Sequence, residues 1–539
     1  MTEKQKSFVT GAAILGIAGL IVKIIGAVFR IPLVNAIGTE GIGYYNVAYP
    51  IYALLLVIST AGLPTAISKM VSEKAAVGDY TAAHNTFRVA FRVLVLAGLV
   101  TSAVMFMAST FVAGTVVFQP KGVYALMAIS PALFFVAVLS AYRGYFQGLQ
   151  MMEPTAISQV IEQVGKLGFG LYLAYLWMPG GPEYGAAGAL VGVAISEACA
   201  LVYVMGMYRR RKSEIMRAVD SSRLGKGELR SRHTVKKLLL IAVPVTLGAC
   251  LMPIVSAIDS AIISRNLQAI GFSQQASASM YGALTGVVNP LINMPAVLSL
   301  ALAMSLVPAI SESQARRDTQ QLQIKAAFGF KLALFIGMPA ALGFALLAGP
   351  IIHMLFRSIV GDEFALSVSL LQILSIGVLF LTLVQSMTGV LQGLSKPGLP
   401  VIGLAVGAAV KVFVSIWLIR NPGINILGAG IGTMAAYAIA AVMDIVFVIK
   451  NVKFRLRISD HILKPLVATA LMGGAAFVMY RWAGAASNTL GVLSAIIVAM
   501  LVYVLALAFM HAVTKEEMSL MPGGGRIRRL VRKTRFWRK

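Results

Sequence analysis

The chain has 539 residues, of which 58% are apolar and only 12% charged, and its mean hydropathy is +0.83. Soluble globular proteins carry about 25% charged residues, and apolar runs recur here from end to end, which excludes a soluble multidomain protein. The formal net charge of +26 invites a nucleic-acid reading, but the charge is spread as membrane topology spreads it, so no nucleic-acid partner is expected.

The N-terminus, MTEKQKSFVTGAAILG, sets basic residues before an apolar run as a secretory signal would. The run continues too far and lacks a small-residue cleavage site, so a retained first helix is expected. Hydropathy and turn residues predict fourteen spans: 11–34, 42–65, 89–113, 123–147, 157–178, 185–207, 238–262, 281–305, 327–350, 365–388, 400–420, 425–449, 464–482 and 490–512. Segments such as 89–113, 238–262 and 490–512 are long enough to cross a bilayer core of about 30 Å.

Fourteen is even, so both termini share a side. With the N-terminus inside, 36 of the 46 lysines and arginines fall in loops and span ends of that side. The other side holds only Lys121, Arg265, Arg357, Arg420 and Arg481. That bias follows the positive-inside rule and predicts a multi-pass plasma-membrane protein with both termini cytoplasmic.

Two polar pieces stand apart. Residues 208–237 divide the chain near its middle. The tail RIRRLVRKTRFWRK (526–539) carries eight basic residues, with Ile527, Leu530, Val531, Phe536 and Trp537 near helical spacing. It reads as an amphipathic helix on anionic membrane lipid, with a disordered basic tail as the plainer alternative.

Five basic residues remain inside spans: Lys23, Arg30, Lys166, Lys331 and Lys411. Charges within a membrane are costly and usually functional. In the first span Gly16, Gly19, Lys23, Gly26 and Arg30 recur at spacings of three and four, one small-and-basic face, although such glycines are more often packing residues. Arg30 precedes Pro32 and either lines that face or snorkels to the outer headgroups. In the fifth span Thr155, Ser158, Gln159, Glu162, Gln163 and Lys166 form a polar stripe. Glu162 and Lys166 stand at i and i+4, where they can pair, as a site or as a structural ion pair. Asp259 lies in IDSAIIS of the seventh span, and Asn289 and Asn293 in the eighth. Lys331 and Asp444 sit near predicted cytoplasmic ends and are expected at the interface. Cys199 and Cys250 fall in apolar segments and are expected as buried thiols, neither disulfide nor metal ligands.

The halves echo each other. YFQGLQMMEPTAISQVIEQVGK (145–166) matches VLQGLSKPGLPVIGLAVGAAVK (390–411), placing Lys411 opposite Lys166. LPTAISKMVSE (63–73) matches LVPAISESQAR (306–316) at nearly the same offset. The offset covers six spans, an even number, so the repeat is parallel. The fold class expected is an all-α integral membrane protein: two six-helix lobes around a central cavity, plus two C-terminal helices. The divisions are 1–207 for the first lobe, 208–237 for a basic linker, 238–450 for the second lobe, 464–512 for the added helices and 513–539 for the tail.

Enzyme signatures are absent. No Walker A loop, H-E-x-x-H or Asp-x-Asp pair occurs, and GDEF (361–364) reads as a solvated loop. No cofactor is expected, and the chain is not read as an enzyme. The interior cations Lys23, Arg30, Lys166 and Lys411 are opposed mainly by Glu162 and Asp259. A cavity so balanced attracts an anion, and phosphate oxygens accept charge-assisted hydrogen bonds from lysine and arginine. The candidate substrate-binding residues are Lys23, Arg30, Glu162, Gln163, Lys166, Lys411, Asn289 and Asn293.

GTEGIGYYNVAYPIY (38–52), STAGLPTAISKMVSE (59–73), YRGYFQGLQMMEPTAISQVIEQ (142–163) and YGALTGVV with SLVPAISES (281–313) resemble the polysaccharide-transporter branch of the multidrug/oligosaccharidyl-lipid/polysaccharide exporter superfamily. The likeness is to the bacterial group that holds stage V sporulation protein B and the Gram-positive lipid II flippases, and it covers about 1–512. It implies a flippase for an undecaprenyl-diphosphate-linked sugar, working as a monomer by alternating access in cell-wall, polysaccharide or spore-envelope synthesis. It also implies a lipid-tail groove at the last two helices, essential cations in the first helix at Lys23 and Arg30, and a coupling cation, Na+ or H+, at Asp259. The arginine that lipid II flippases carry early in helix 8 has no counterpart in YGALTG, and acidic or amide sodium ligands are not evident in 400–420. An ion-coupled multidrug or cation antiporter of the same superfamily is the alternative, although its drug sites are acidic and a cationic first helix has the wrong sign.

Overall fold

The computed structural model describes residues 3–60, 62–222, 231–453 and 458–512. The 526–539 tail and residues 223–230 of the central polar stretch lie outside them. Among the described residues sixteen α-helices follow in order: α1 (Glu3–Thr60), α2 (Leu63–Ala76), α3 (Tyr80–Phe111), α4 (Val123–Gly148), α5 (Glu153–Gly165), α6 (Leu171–Trp177), α7 (Pro182–Asp220), α8 (Ser231–Ala269), α9 (Gln274–Gly282), α10 (Asn289–Ala315), α11 (Thr319–Leu355), α12 (Gly361–Gly393), α13 (Gly398–Ile419), α14 (Leu427–Val452), α15 (Lys464–Ala483) and α16 (Asn488–Phe509). No strand occurs among the described residues. The fold is an all-α membrane fold, and eleven helical stretches of the described residues are long and apolar enough to cross a bilayer. One of them, Ile14–Ala76, is 63 residues long and covers the first two predicted spans.

Local chemistry explains the punctuation. Prolines open α2, α5, α7, α10 and α15 in their first turns, where a missing N–H costs nothing. Asp79, Ser273 and Asp318 cap α3, α9 and α11 by accepting from Ala82, Ala276 and Gln321 N–H groups. Within α1 the helix breaks only at Gly38, whose φ of 68° suits glycine. That single residue replaces the loop expected between the first two spans. Spans five and eight are wound through π-turns at Lys166–Gly170 and Ala283–Val288, a winding that recurs at functional positions.

The chain packs as two compact units, residues 1–286 and 287–539. The boundary falls later than the polar stretch 208–237. Within the first unit α8 packs on α1, α2 and α3, and α9 packs on α1. The described part of the polar stretch is largely helical: α7 continues to Asp220, and Val219 O and Gly78 O accept from Thr81 and Ser222. The core of this unit includes Ile67, Phe87, Leu139, Phe146 and Val204. An aromatic group of His84, Phe87, Tyr142, Tyr145 and Tyr208 is part of it. The second unit has its own core around Ile310, Leu374, Met387 and Val448. There α16 is tied to α11 by the Tyr503 hydroxyl, which donates to Phe335 O at 3.0 Å.

The two units repeat in detail. A methyl group on Gly148 would lie 2.6 Å from Val71 Cβ and 2.9 Å from Ser68 O; on Gly393 it would lie 2.7 Å from Ile310 Cβ and 2.9 Å from Val307 O. Gln150 and Ser395, two residues on, both have positive φ, 62° and 57°. The sequence match of 63–73 with 306–316 is one helical turn out of this structural register, in which Val71 corresponds to Ile310.

Several expectations are corrected. Lys331 and Asp444 are not interfacial: they are 2% and 0% exposed. Cys199 is exposed, while Cys250 is buried as expected, and both are free. GDEF is not a loop, because Gly361 opens α12 with Asp362 and Glu363 in its first turn.

Candidate functional site

The polar interior of the first unit is built on α1, α4, α5 and α7. Arg30 projects from α1 and is half-buried; its Nη1 donates to Asn46 Oδ1 at 2.9 Å, and Asn46 Nδ2 donates to Thr285 Oγ1 at 2.9 Å. The guanidinium also lies 4.9 Å from the Tyr45 ring centroid. Those contacts tie Arg30 to the body of the unit, where a residue snorkelling to headgroups would extend away from it.

Lys166 opens the π-turn that follows α5. Its ammonium stands 5.1 Å from the Phe29 ring and 5.3 Å from the Tyr49 ring, with Tyr45 and Arg30 within electrostatic reach. Aromatic faces stabilise a cation without neutralising it, so Lys166 keeps its full charge for a ligand.

Glu162 does not pair with Lys166, contrary to the i, i+4 expectation. Its Oε1 accepts from Arg143 Nη2 at 2.5 Å, and the same guanidinium donates to Ser158 Oγ at 2.8 and 3.0 Å. Glu197 on α7 approaches this group, and its Oε2 is buried without a hydrogen-bond partner among the described residues. Arg143 and Glu197 are the members sequence reading missed. Arg143 falls at the end of the fourth span, where it counts as one more inside-loop cation. Glu197 is a lone acid in an apolar run with nothing at helical spacing to pair with it. Gln163 Oε1 is the nearest atom, at 3.6 Å, to a methyl placed on Gly26, so the stripe of α5 and the glycine face of α1 lie together.

The remaining candidates are less concentrated. Lys23 is exposed on α1, and methyls on Gly16 and Gly19 would meet nothing within 4 Å among the described residues. That face is open rather than packed. Asp259 on α8 is half-buried and shares the vicinity of Tyr281 with Arg30. In the second unit Lys411 is half-buried on α13, and Asn289 opens α10. Asn293 is exposed and donates to Asn289 O at 2.9 Å. No group of three or more His, Cys, Asp or Glu side chains able to hold a metal occurs among the described residues.

The second unit also contains an apolar groove of about 500 Å³. Its walls include Met294 and Leu298 of α10, Pro339 and Gly343 of α11, Met472 of α15 and Met500 of α16. Such a wall suits a hydrocarbon chain.

An all-helical membrane unit with a half-buried cation cluster defines an integral membrane protein of transporter architecture. Residues 8–314 match the model of the polysaccharide biosynthesis protein family, and the chain belongs to that family. It is 25% identical to stage V sporulation protein B of Bacillus subtilis over 97% of this chain and 99% of that one. To lipid II flippase MurJ of the same organism it is 26% identical, over 86% of each chain. Among solved structures it is similar to lipid II flippase MurJ in an inward closed conformation: the TM-score is 0.65 and the identity 15%, over 92% of this chain and 98% of that one. An inward-facing multidrug-resistance transporter of the MATE family gives a TM-score of 0.64 at 16% identity, over 82% of this chain and 98% of that one. At those identities the structural likeness is one of fold.

Proposed function

We propose that the chain is a flippase that moves an undecaprenyl-diphosphate-linked, lipid II-like oligosaccharide to the outer leaflet by alternating access. The observation that carries this reading is the cluster of Arg30, Arg143 and Lys166 inside the membrane-spanning first unit, with aromatic rings under two of the cations. Its geometry suits phosphate oxygens, which take planar arginine forks and point-charge lysines. Lys23 and Gln163 extend the site along α1 and α5. The apolar groove supports the lipid half of the substrate, because a polyprenyl tail needs a hydrocarbon surface while its headgroup crosses. The family membership and the two curated relatives point the same way, as does the absence of enzyme motifs.

Both termini would face the cytoplasm, with the 526–539 tail on anionic inner-leaflet lipid, and the chain would act as a monomer. An outward-moving anion is favoured by an inside-negative potential, by about 2.3 kcal/mol per charge per 100 mV. Asp259 is the place for a coupling Na+ or H+. Depletion of the protein should accumulate one lipid-linked precursor on the inner leaflet. An unchanged inner-leaflet pool in depleted cells would remove this reading, and the precursor that accumulates would separate a vegetative role from a sporulation one.

One observation favours a second reading. Glu162 and Glu197 bring two carboxyls together in the first unit, which would suit a cationic drug in an ion-coupled antiporter. Drug-resistance phenotypes that follow Glu162→Gln or Glu197→Gln, with no precursor accumulation, would select it.

A further inference from the structure

Arg143 and Glu162 are bonded to each other yet not sealed away: their side chains are 14% and 13% exposed. Ser158 fixes the guanidinium through Nε and Nη2, so the fork stays in place whether or not the carboxylate is there. Lys166, one helical turn beyond Glu162, is held by rings rather than by an acid. Resting on the diphosphate reading above, we infer that Arg143 is a ligand for the substrate's diphosphate and that Glu162 is its resting counter-ion, a built-in competitor that multiply charged headgroups displace and singly charged ones do not.

Charge count sets the threshold. A membrane flippase is surrounded by phospholipids whose phosphodiesters carry one negative charge. Replacing the Glu162 carboxylate at Arg143 with such a phosphodiester exchanges one monoanion for another. It gains no Coulombic energy and leaves a carboxylate partly buried without its cation, which is costly. A diphosphate carries at least one further charge, and Lys166 stands beside the exchange point to receive it. Glu197 on α7 adds a second carboxyl beside Glu162. With a bare arginine in place of the guarded one, bulk anionic lipid would occupy the site.

The test uses the full-length chain in phosphatidylcholine nanodiscs, titrated with geranylgeranyl diphosphate in the presence and absence of phosphatidylglycerol. Glu162→Gln keeps the shape and a hydrogen-bond acceptor while removing the charge. It should let phosphatidylglycerol compete at Arg143, as it does not in the wild-type chain, so that the preference for diphosphate measured in its presence falls roughly tenfold, equivalent to about 1.4 kcal/mol. Arg143→Gln should weaken diphosphate binding by a similar factor. Glu162→Asp, which keeps the charge but retracts it from Arg143, should shift the preference in the same direction by less, and serves if the glutamine variant does not fold. A folded Glu162→Gln protein with unchanged preference, or one that loses diphosphate binding outright, would overturn the inference while leaving the transport reading intact. A wild-type chain that binds no diphosphate, or one whose binding is indifferent to Lys166→Ala, removes that reading as well.

Discussion

The two units share a helical scaffold and differ in what it carries. In the register set by Gly148 and Gly393, Arg143 of the first unit corresponds to Thr388 of the second, Glu162 to Gly407 and Lys166 to Lys411. The first unit therefore has a bonded Arg–Glu pair and a ring-bound lysine at these positions. The second has a hydroxyl, a glycine and one lysine. Its buried acid comes from elsewhere: Asp444 on α14, whose Oδ2 accepts from Thr388 Oγ1 at 3.3 Å and whose Oδ1 has no hydrogen-bond partner among the described residues. The second unit instead offers the apolar groove. The two units keep matching helix crossings, which close packing fixes, and differ in polar inventory, with ion chemistry concentrated in one unit and hydrocarbon surface in the other.

That contrast is broken most directly at the paired lysines. Lys166→Ala should abolish transport while the protein stays folded, whereas Lys411→Ala should only reduce it; precursor-flipping assays on both variants check this, and equal losses would erase the contrast. Next in size is Arg143→Ala. It leaves the Glu162 carboxylate partly buried without its cation, a change that costs about 3–5 kcal/mol in buried pairs. At about 14% exposure the pair retains some water, so the lower end is expected in a denaturant or thermal unfolding series. Thr388→Ala, its counterpart, should cost about 1 kcal/mol, the net value of one hydrogen bond.

Much of the scaffold was legible because apolar span length, proline starts and loop charge are written locally. The described residues of the fourteen predicted spans fall mostly on helix, although they make eleven long apolar stretches rather than fourteen, and the repeat was readable through QGL and the paired lysines. The site was only partly legible. Lys166 and Arg30 announced themselves as charges in apolar helices. Arg143 did not, because its partner is 19 residues away on the next helix, and spacing rules within one helix assigned Glu162 to Lys166 instead. Lys331 and Asp444 were misplaced for the same reason. Their burial is set by neighbouring helices such as α12 and α13, and no local pattern reports which face of a wholly apolar helix meets a partner.

Smaller effects test the shared scaffold. Gly148→Ala and Gly393→Ala should destabilise equally, each by about 1–3 kcal/mol, because the new methyl would press on Val71 in one unit and on Ile310 in the other. Gly16→Ala, whose methyl meets no described atom within 4 Å, should leave stability unchanged. Unequal costs for the glycine pair would show that the two crossings are not equivalent.

A small effect is expected at Asp444 as well. Asparagine there keeps an acceptor for the Thr388 hydroxyl and removes a charge whose only hydrogen bond to a described residue is that contact. Gly403 gives either side chain its room by lacking a methyl, which would press to 3.0 Å from Asp444 Oδ1. Unfolding free energy should therefore move by no more than about 1 kcal/mol, the scale of a single hydrogen bond. Transport should persist if ligand charge is handled, as proposed, by Arg30, Arg143 and Lys166. A folded Asp444→Asn protein that no longer transports would assign an ion-handling step to the second unit too, and the division of labour between the two halves would fall with it.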